Sequence, residues 1–426
     1  MIIGIDPGRA YTKACYLTDK GKVHRLVFPS VVGRTVNGPG IGSFLVDPEK
    51  NGRVRIRHVD RLGYDHVVDR AVGQAAILNS IAPHVDYMRT RDPNDVIALV
   101  GECLLRFNPK EPVHLVTGAP VSYYRDVATT RKIIATWESL QDIEDAAHPG
   151  RIREAAQSIG HVAERAKEGA EVFTVGTVTR LREDDRFVYL ELDKEIEIRL
   201  RSPNQMAAPE GRELIVRGQL QRDGPLLNLL KGEWQVNGVK YQVDNVAIVP
   251  EGAGALFALA LDMETRRFKD ASLLSQAVGI IDVGVYTTDM VLLDKQQYRE
   301  AASWSIPTGM GYVLRVVQDY VKTRLGLDLP LHQLYDHVRE GQVVLGRTFD
   351  LSPVIKEACA GLYETLSAQI QARWENVVLN QIVLVGGGMY YLADQFKNTW
   401  PQAKKFQAPE WANCLGYLTF GRWHYG

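Results

Sequence analysis

Asp6-Pro7-Gly8-Arg9-Ala10-Tyr11-Thr12-Lys13 follows the apolar run Met1–Ile5, and Asp282-Val283-Gly284-Val285-Tyr286-Thr287-Thr288-Asp289 follows Gly279–Ile281. In both stretches a strand ends on an acid, a glycine lets the chain turn, and a second strand returns. A carboxylate at a strand end can orient a hydrated magnesium ion, and glycine lets backbone approach a phosphate closely. Lys13 comes back after the turn as a point positive charge suited to β- and γ-phosphates. Two such hairpins facing each other would clamp a triphosphate from both sides. A third element, Gly386-Gly387-Gly388, follows the apolar Gln381–Val385. It lets backbone approach the adenosine end of a nucleotide and opens a helix with free N–H groups. Each element alone is most often only a turn. All three after apolar strands, in this order, are hard to obtain from turn chemistry.

Working outward, Val113–Val116 also runs into a small-residue turn, Thr117-Gly118-Ala119-Pro120. Strands with small residues at their C-terminal ends and helices between them specify an α/β protein with its ligand above the strand ends. Apolar spacing of three and four predicts helices over Asp65–Asn79, Tyr123–Leu140, Gly311–Leu325 and Pro353–Val377, and Ile152–Lys167 reads as a polar helix. From Glu171 to Val236 the period changes to two. Five strands are expected there: Glu171–Leu181, Arg186–Leu192, Glu195–Leu200, Glu213–Leu220 and Leu226–Val236, separated by turns such as Asp184-Asp185 and Asp223-Gly224-Pro225. Residues 150–235 therefore read as a β-rich module spliced into an α/β host, OB-like in strand count and spacing.

With 426 residues, 45% hydrophobic and 24% charged, the chain can bury a full core. Its 50 basic and 51 acidic residues argue against coating nucleic acid by bulk charge. The module between 151 and 232 holds 14 basic and 14 acidic residues, so direct nucleic-acid binding is disfavoured there and protein contact is expected. Cys15, Cys103, Cys359 and Cys414 form no CxxC pair, which excludes a zinc ribbon and fits a reducing compartment. No signal peptide or membrane-length apolar run is present, so a cytoplasmic location without membrane contact is expected. HExxH, GxSxG and GxxxxGK[ST] are all missing, which removes zinc protease, serine hydrolase and Walker-type readings.

The order of the three elements resembles the actin / sugar kinase / chaperone ATPase superfamily. Within it, the chain is most similar to the prokaryotic actin-like proteins of the ParM type and their archaeal relatives. Phe28-Pro29-Ser30-Val31-Val32 resembles their FPSVV segment, Val116–Tyr124 their TGxPxxYY stretch, Val246–Glu251 their strand-Pro-Glu element, and Cys414–Leu418 their terminal helix. The resemblance spans the chain except about 145–235. It implies two ribonuclease-H-like actin-fold domains flanking a nucleotide cleft. Domain I covers 1–149 with a small subdomain at 34–69; domain II covers 236–400; and 401–426 returns to domain I. ATP (or GTP) and Mg2+ are implied, with Asp6 and Asp282 on the ion. Gly8, Lys13, Gly284, Thr287 and Gly386–Gly388 would grip the nucleotide. Glu251 gains from the resemblance the role of orienting the attacking water; its other reading is a helix cap. Thr308-Gly309-Met310-Gly311 reads either as a nucleotide contact through Gly309 or as a helix start packed on the sheet.

The resemblance further implies a head-to-tail homopolymer and an adaptor linking it to plasmid or other DNA. A non-polymerising ATPase of the superfamily and a nucleic-acid scaffold working through the module are the alternatives. The 38 residues after Gly388 are too few for a chaperone's peptide-binding extension. Arg9-Ala10 and Val285-Tyr286 depart from the family, which has hydroxyls after the first glycine and Gly or Asp after the second. Arg9 is placed to supply charge where hydroxyls are missing.

Overall fold

The computed structural model describes residues 1–33, 52–59, 65–79, 92–109, 111–138, 140–145, 157–158, 162, 166–183, 187–194, 196–201, 213–222, 227–236, 239–240, 243–295 and 297–426. The first sheet is built from β1 (Ile2–Pro7), β2 (Tyr11–Leu17), β3 (Val23–Pro29), β4 (Val113–Ala119) and β5 (Val243–Pro250), in the order β5-β4-β1-β2-β3. β1, β2 and β3 form an antiparallel meander, and β4 and β5 add in parallel on the other side of β1. The second sheet repeats this plan with β6 (Ala277–Val283), β7 (Thr288–Asp294), β8 (Trp304–Ile306), β9 (Gln381–Val385) and β10 (Ala403–Lys405). β6–β7 and β7–β8 are antiparallel, while β9 and β10 follow β6 in parallel. The parallel strands need crossovers, which the helices supply.

The helices that matter for the site are α1 (Pro93–Phe107), α2 (Ala253–Ala260), α3 (Met310–Leu325), α4 (Leu331–Glu340), α5 (Ser352–Trp374), α6 (Met389–Thr399) and α7 (Ala412–Tyr425). Ile3, Ile5 and Leu115 are fully buried under Ile97, Val100 and Leu104 of α1. In α3, Val313, Val317 and Val321 recur at helical spacing and bury against Ile281, Val283 and the α5 residues Leu362 and Leu366. α2 packs on the second sheet through Leu256, beside Ile280 and Val291, and α7 packs on β1 and β4 of the first. These two helices meet at glycines: a Cβ on Gly416 would lie 1.6 Å from the Gly254 carbonyl oxygen. Only bare backbone permits that crossing, which joins the two lobes.

The structure changes three sequence expectations. Asp65–Asn79 is not one helix: Asp65–Val72 is a strand paired with Gly52–Val59, and only Gln74–Asn79 is helical. β-branched Val67, Val68 and Val72 satisfy either period, and pairing decides. The strand Val243–Pro250, which a boundary at 236 gives to the second lobe, pairs with Val113–Ala119 in the first sheet. The small sheet extends beyond 34–69, in the order Val239–Lys240, Leu140–Asp145, Gly52–Val59, Asp65–Val72, Val32–Gly33. Residues 34–51 and 60–64 lie outside the described residues.

Leu140–Asp145 and Val239–Lys240 are antiparallel neighbours, so the chain leaves for the inserted region and returns from it on adjacent strands. Within that region the strands run in the order Phe187–Leu192, Ile196–Arg201, Leu227–Val236, Glu213–Gln221, Glu171–Glu183, Gln157–Ser158. Glu171–Glu183 also pairs with Phe187–Leu192. Most of the helix expected over Ile152–Lys167, and the turns around 184–185 and 223–225, fall outside the described residues. Among the described residues, no helix is long and apolar enough to cross a membrane.

Candidate functional site

The register of β1 and β2 sets Asp6 opposite Lys13, and the ammonium lies 3.5 Å from the carboxylate. The register of β6 and β7 sets Asp282 opposite Asp289 in the same way. Each hairpin thus closes on a facing pair seven residues apart, one pair mixed in charge and one doubly acidic. The end of β3 supports the first turn. The Ser30 hydroxyl donates to the Gly8 carbonyl at 2.6 Å and shares a 2.8 Å hydrogen bond with the Thr12 hydroxyl. In the second turn the Gly284 N–H donates to the Thr287 carbonyl at 3.0 Å, and the Val121 N–H and the Ser305 hydroxyl donate to Asp289 Oδ1.

Gly309 caps α3 against this second turn. The N–H groups of Met310 and Gly311 donate to the Gly284 and Val285 carbonyls at 2.9 and 2.8 Å. These bonds hold the helix start against the second turn. The glycine triplet also closes on the second hairpin. Gly386 has φ +86°, and a Cβ there would fall 2.4 Å from Asp282 Oδ1. The Gly388 N–H donates to the Val283 carbonyl at 3.0 Å. At Gly387 the nearest atom to an added Cβ is the Tyr335 hydroxyl, 3.8 Å away.

Glu251 follows β5, and its N–H donates to the Ala119 carbonyl at 2.8 Å. The cap of α2 is Gly252, with no side-chain cap bond, so Glu251 does not serve the helix in that way. Gly252, at φ +87°, passes its N–H to Asn413 Oδ1 at 3.2 Å. Asn413 Nδ2 in turn donates to Asp282 Oδ2 at 2.6 Å. One buried amide on α7 therefore ties the Glu251 turn to the acid of the second hairpin. Close by, Gly118 leaves room for Tyr417 and Glu251. An added Cβ would stand 1.9 Å from the Tyr417 hydroxyl and 3.0 Å from Glu251 Cγ. That hydroxyl is fully buried and has no hydrogen-bond partner among the described residues.

Negative charge is concentrated here. Desolvation first, then Asp289, Asp6 and Asp282, push the Glu251 carboxyl well above its usual range, while Arg9 works against them. Asp282 is pushed up to about 7 by burial and by Asp289, against the pull of Asn413. Burial raises Asp289 despite bonds from Ser305 and the Val121 N–H. Desolvation would lower Lys13, but Asp6 outweighs it and holds the ammonium above its ordinary value. Carboxyls carrying raised pKa values form a site that a divalent cation would relieve.

Among the described residues, no group of three or more His, Cys, Asp or Glu is arranged as a metal cage. Magnesium does not require one: it keeps several waters and takes one or two carboxylates together with phosphate oxygens. Asp6 and Asp282 supply an oxygen-only donor set of that kind, so the residues fit a hydrated magnesium ion.

The two lobes also touch beside the hairpin turns. The Arg9 guanidinium carbon lies 4.7 Å from the Tyr286 ring centroid. Tyr11 meets Tyr335 edge-to-face at 5.1 Å, and its hydroxyl donates to Asp336 Oδ1 at 3.3 Å. Sequence reasoning missed Asn413, Asp289, Ser30 and Tyr417. For Asp289 a signal existed, since it stands seven residues after Asp282 as Lys13 stands seven after Asp6. Asn413 had none, because its partners lie 131 and 161 residues away.

Comparison with known proteins bears on this arrangement. Residues 4–147 match the model of the actin-like protein N-terminal domain, and 280–398 match that of the archaeal actin homologue MreB-like C-terminal domain. A ParM filament of 15 strands from Clostridium botulinum is 18% identical over 99% of this chain and 98% of its own, with a TM-score of 0.59. The archaeal actin homolog Ta0583 in complex with ADP is 15% identical over 99% and 98%, with a TM-score of 0.56. Bacillus thuringiensis ParM with AMPPNP is 12% identical over 100% and 99%, with a TM-score of 0.55. At these identities the likeness is one of fold. No curated protein matches the chain.

Proposed function

We propose that the chain, whose residues 4–147 and 280–398 match actin-like family models, is an actin-like protein of the ParM type, a magnesium-dependent ATP (or GTP) hydrolase that assembles into filaments. The observation that carries this reading is the pair of acid-ended hairpins with Glu251 and Asn413 between them. The relatives lend support: one is a filament, one holds ADP and one holds AMPPNP.

In this reading the nucleotide's phosphates lie between the Gly8 and Gly284 turns. Asp6 and Asp282 would hold magnesium mainly through its waters, and the ion would neutralise charge on the phosphate oxygens. Lys13 adds a second positive charge, fixed in place by Asp6. Glu251 orients the attacking water through a carboxyl oxygen, which is the main chemical task hydrolysis leaves to the protein. Its raised pKa makes the rate climb as pH rises above the usual carboxylate range. Gly386–Gly388 would take the adenosine side, and Gly309 acts by fixing the second turn. Both lobes contribute to the grip, so loss of the terminal phosphate changes what holds them closed.

A head-to-tail contact between identical subunits does not close and therefore grows a polymer. Segregation of plasmid or other DNA through an adaptor is the role that the ParM resemblance implies. We also propose that the inserted region is an OB-like module. Numbered within the module, its strands pair 1-2-3-5-4-1, with 3 and 5 parallel. It is spliced in between adjacent strands of the small sheet, and so suits contact with a neighbouring subunit or an adaptor.

The test is light scattering and phosphate release after mixing the protein with ATP and magnesium. Scattering should rise above a critical concentration and later decline. Glu251→Ala should still scatter but release phosphate about 10²–10³-fold more slowly. Unchanged release would remove Glu251 from the mechanism, and no scattering at any concentration would favour a non-polymerising ATPase.

A further inference from the structure

We propose that Arg9 is a further catalytic residue, an arginine finger supplied in cis by the first hairpin and held over the cleft by the ring of Tyr286 on the second. The proposal rests on the nucleotide reading above and adds to it the group that meets the charge developing on the terminal phosphate.

Three observations converge. The first is position. Arg9 stands on the turn between Asp6 and Lys13, half-buried, with its guanidinium against a half-buried Tyr286 at 4.7 Å. Both residues belong to the turns that would flank the phosphates. The second is electrostatic. Arg9 acts on Glu251 as the opposing positive charge among three acids, so its guanidinium stands near the carboxyl that would orient the water. The third is chemical. Neither turn has a Ser or Thr in the two positions after its glycine: Arg9-Ala10 and Val285-Tyr286 stand there. A triphosphate brings further negative charge to a site that has four carboxyls, and Arg9 adds a guanidinium to the charge that Lys13 and magnesium supply there.

The stack suits that task. A guanidinium lying over an aromatic face keeps the N–H donors of its own plane, which match two oxygens of a phosphate. The stack also spans the lobes, because Arg9 belongs to the first sheet and Tyr286 to the second. Arg9 is therefore in place when the lobes are closed, alongside the Tyr11–Tyr335 contact. Hydrolysis is then coupled to closure without any partner protein.

The experiment uses the full chain and two readouts. Single-turnover phosphate release measures the chemistry. Displacement of a fluorescent ADP analogue, in magnesium, measures affinity for ADP and for ADP with aluminium fluoride, a mimic of the phosphate in flight. Arg9→Ala should slow release by about 10²–10³-fold and weaken ADP–aluminium fluoride by about 100-fold, with ADP itself changed by less than about threefold. Arg9→Lys should recover only part of this, since an ammonium lacks the planar fork. Tyr286→Phe, which keeps the ring, should lose less than Tyr286→Ala. Equal weakening of ADP and ADP–aluminium fluoride in Arg9→Ala, or release at the parent rate, overturns the proposal. A parent protein that binds no ADP instead overturns the nucleotide reading on which it rests.

Discussion

Replacing Asn413 with Ala removes the amide that joins Asp282 to the Glu251 turn, and the cost can be worked from two hydrogen bonds. One is the 2.6 Å bond to Asp282 Oδ2; a bond to an ionised carboxylate contributes about 1.5–3 kcal/mol. The other is the 3.2 Å bond from the Gly252 N–H. Left buried and unpaired, that N–H costs about 1–3 kcal/mol. At pH 8.5, above the Asp282 pKa of about 7, both losses apply and the variant should be destabilised by about 2.5–6 kcal/mol. At pH 5.5 the carboxyl is protonated and its bond is a neutral one of about 1 kcal/mol, so the cost should drop by about 1–2 kcal/mol. Asn413 now lowers the Asp282 pKa, so the variant's Asp282 should titrate higher still. Urea unfolding at the two pH values, with equal slopes, measures both figures. A cost below about 0.5 kcal/mol, or one identical at the two pH values, would refute the reasoning.

Gly118→Ala forces a methyl group into the Tyr417 hydroxyl; thermal unfolding should show a loss of about 1–3 kcal/mol, and phosphate release should fall because Glu251 shares the space. Tyr417→Phe deletes a buried hydroxyl with no partner among the described residues, so denaturant unfolding should show a neutral change or a gain up to about 1–3 kcal/mol. Asp282→Asn tests the raised acid. With a folded pKa of about 7 against 3.8 unfolded, the native state keeps its proton while the unfolded chain ionises, so the wild-type loses stability as pH rises between those values and is flat above. The nucleotide-free variant should therefore match the wild-type near pH 4 and exceed it by at most about 4 kcal/mol at pH 8. The same variant should bind magnesium nucleotide more weakly, measurable by displacement of a fluorescent analogue.

The hairpins and the glycine triplet were legible in the sequence because their chemistry is local. An apolar strand, an acid and a glycine stand within eight residues, and the strand register then follows. The five alternating strands of the module were legible for the same reason, to within a few residues at each end. Which strand pairs with which was not, because pairing is a contact between distant segments. Asp65–Val72 shows the limit: its valines fit either period until Gly52–Val59 lies beside it. Val243–Pro250 gives no local sign that it crosses back to the first sheet. Asn413 is a lone amide near a helix start, and its role depends on three segments converging. Tyr417 explains Gly118, and neither explains itself alone.

The most direct test is a structure of the chain grown with magnesium and a non-hydrolysable ATP analogue. We expect the β- and γ-phosphates between Gly8 and Gly284, the ion bridged by water to Asp6 and Asp282, and a water within hydrogen-bond reach of Glu251. Density for the analogue away from both turns, or a cleft that stays shut by the Arg9–Tyr286 stack with no nucleotide inside at saturating concentration, would contradict it.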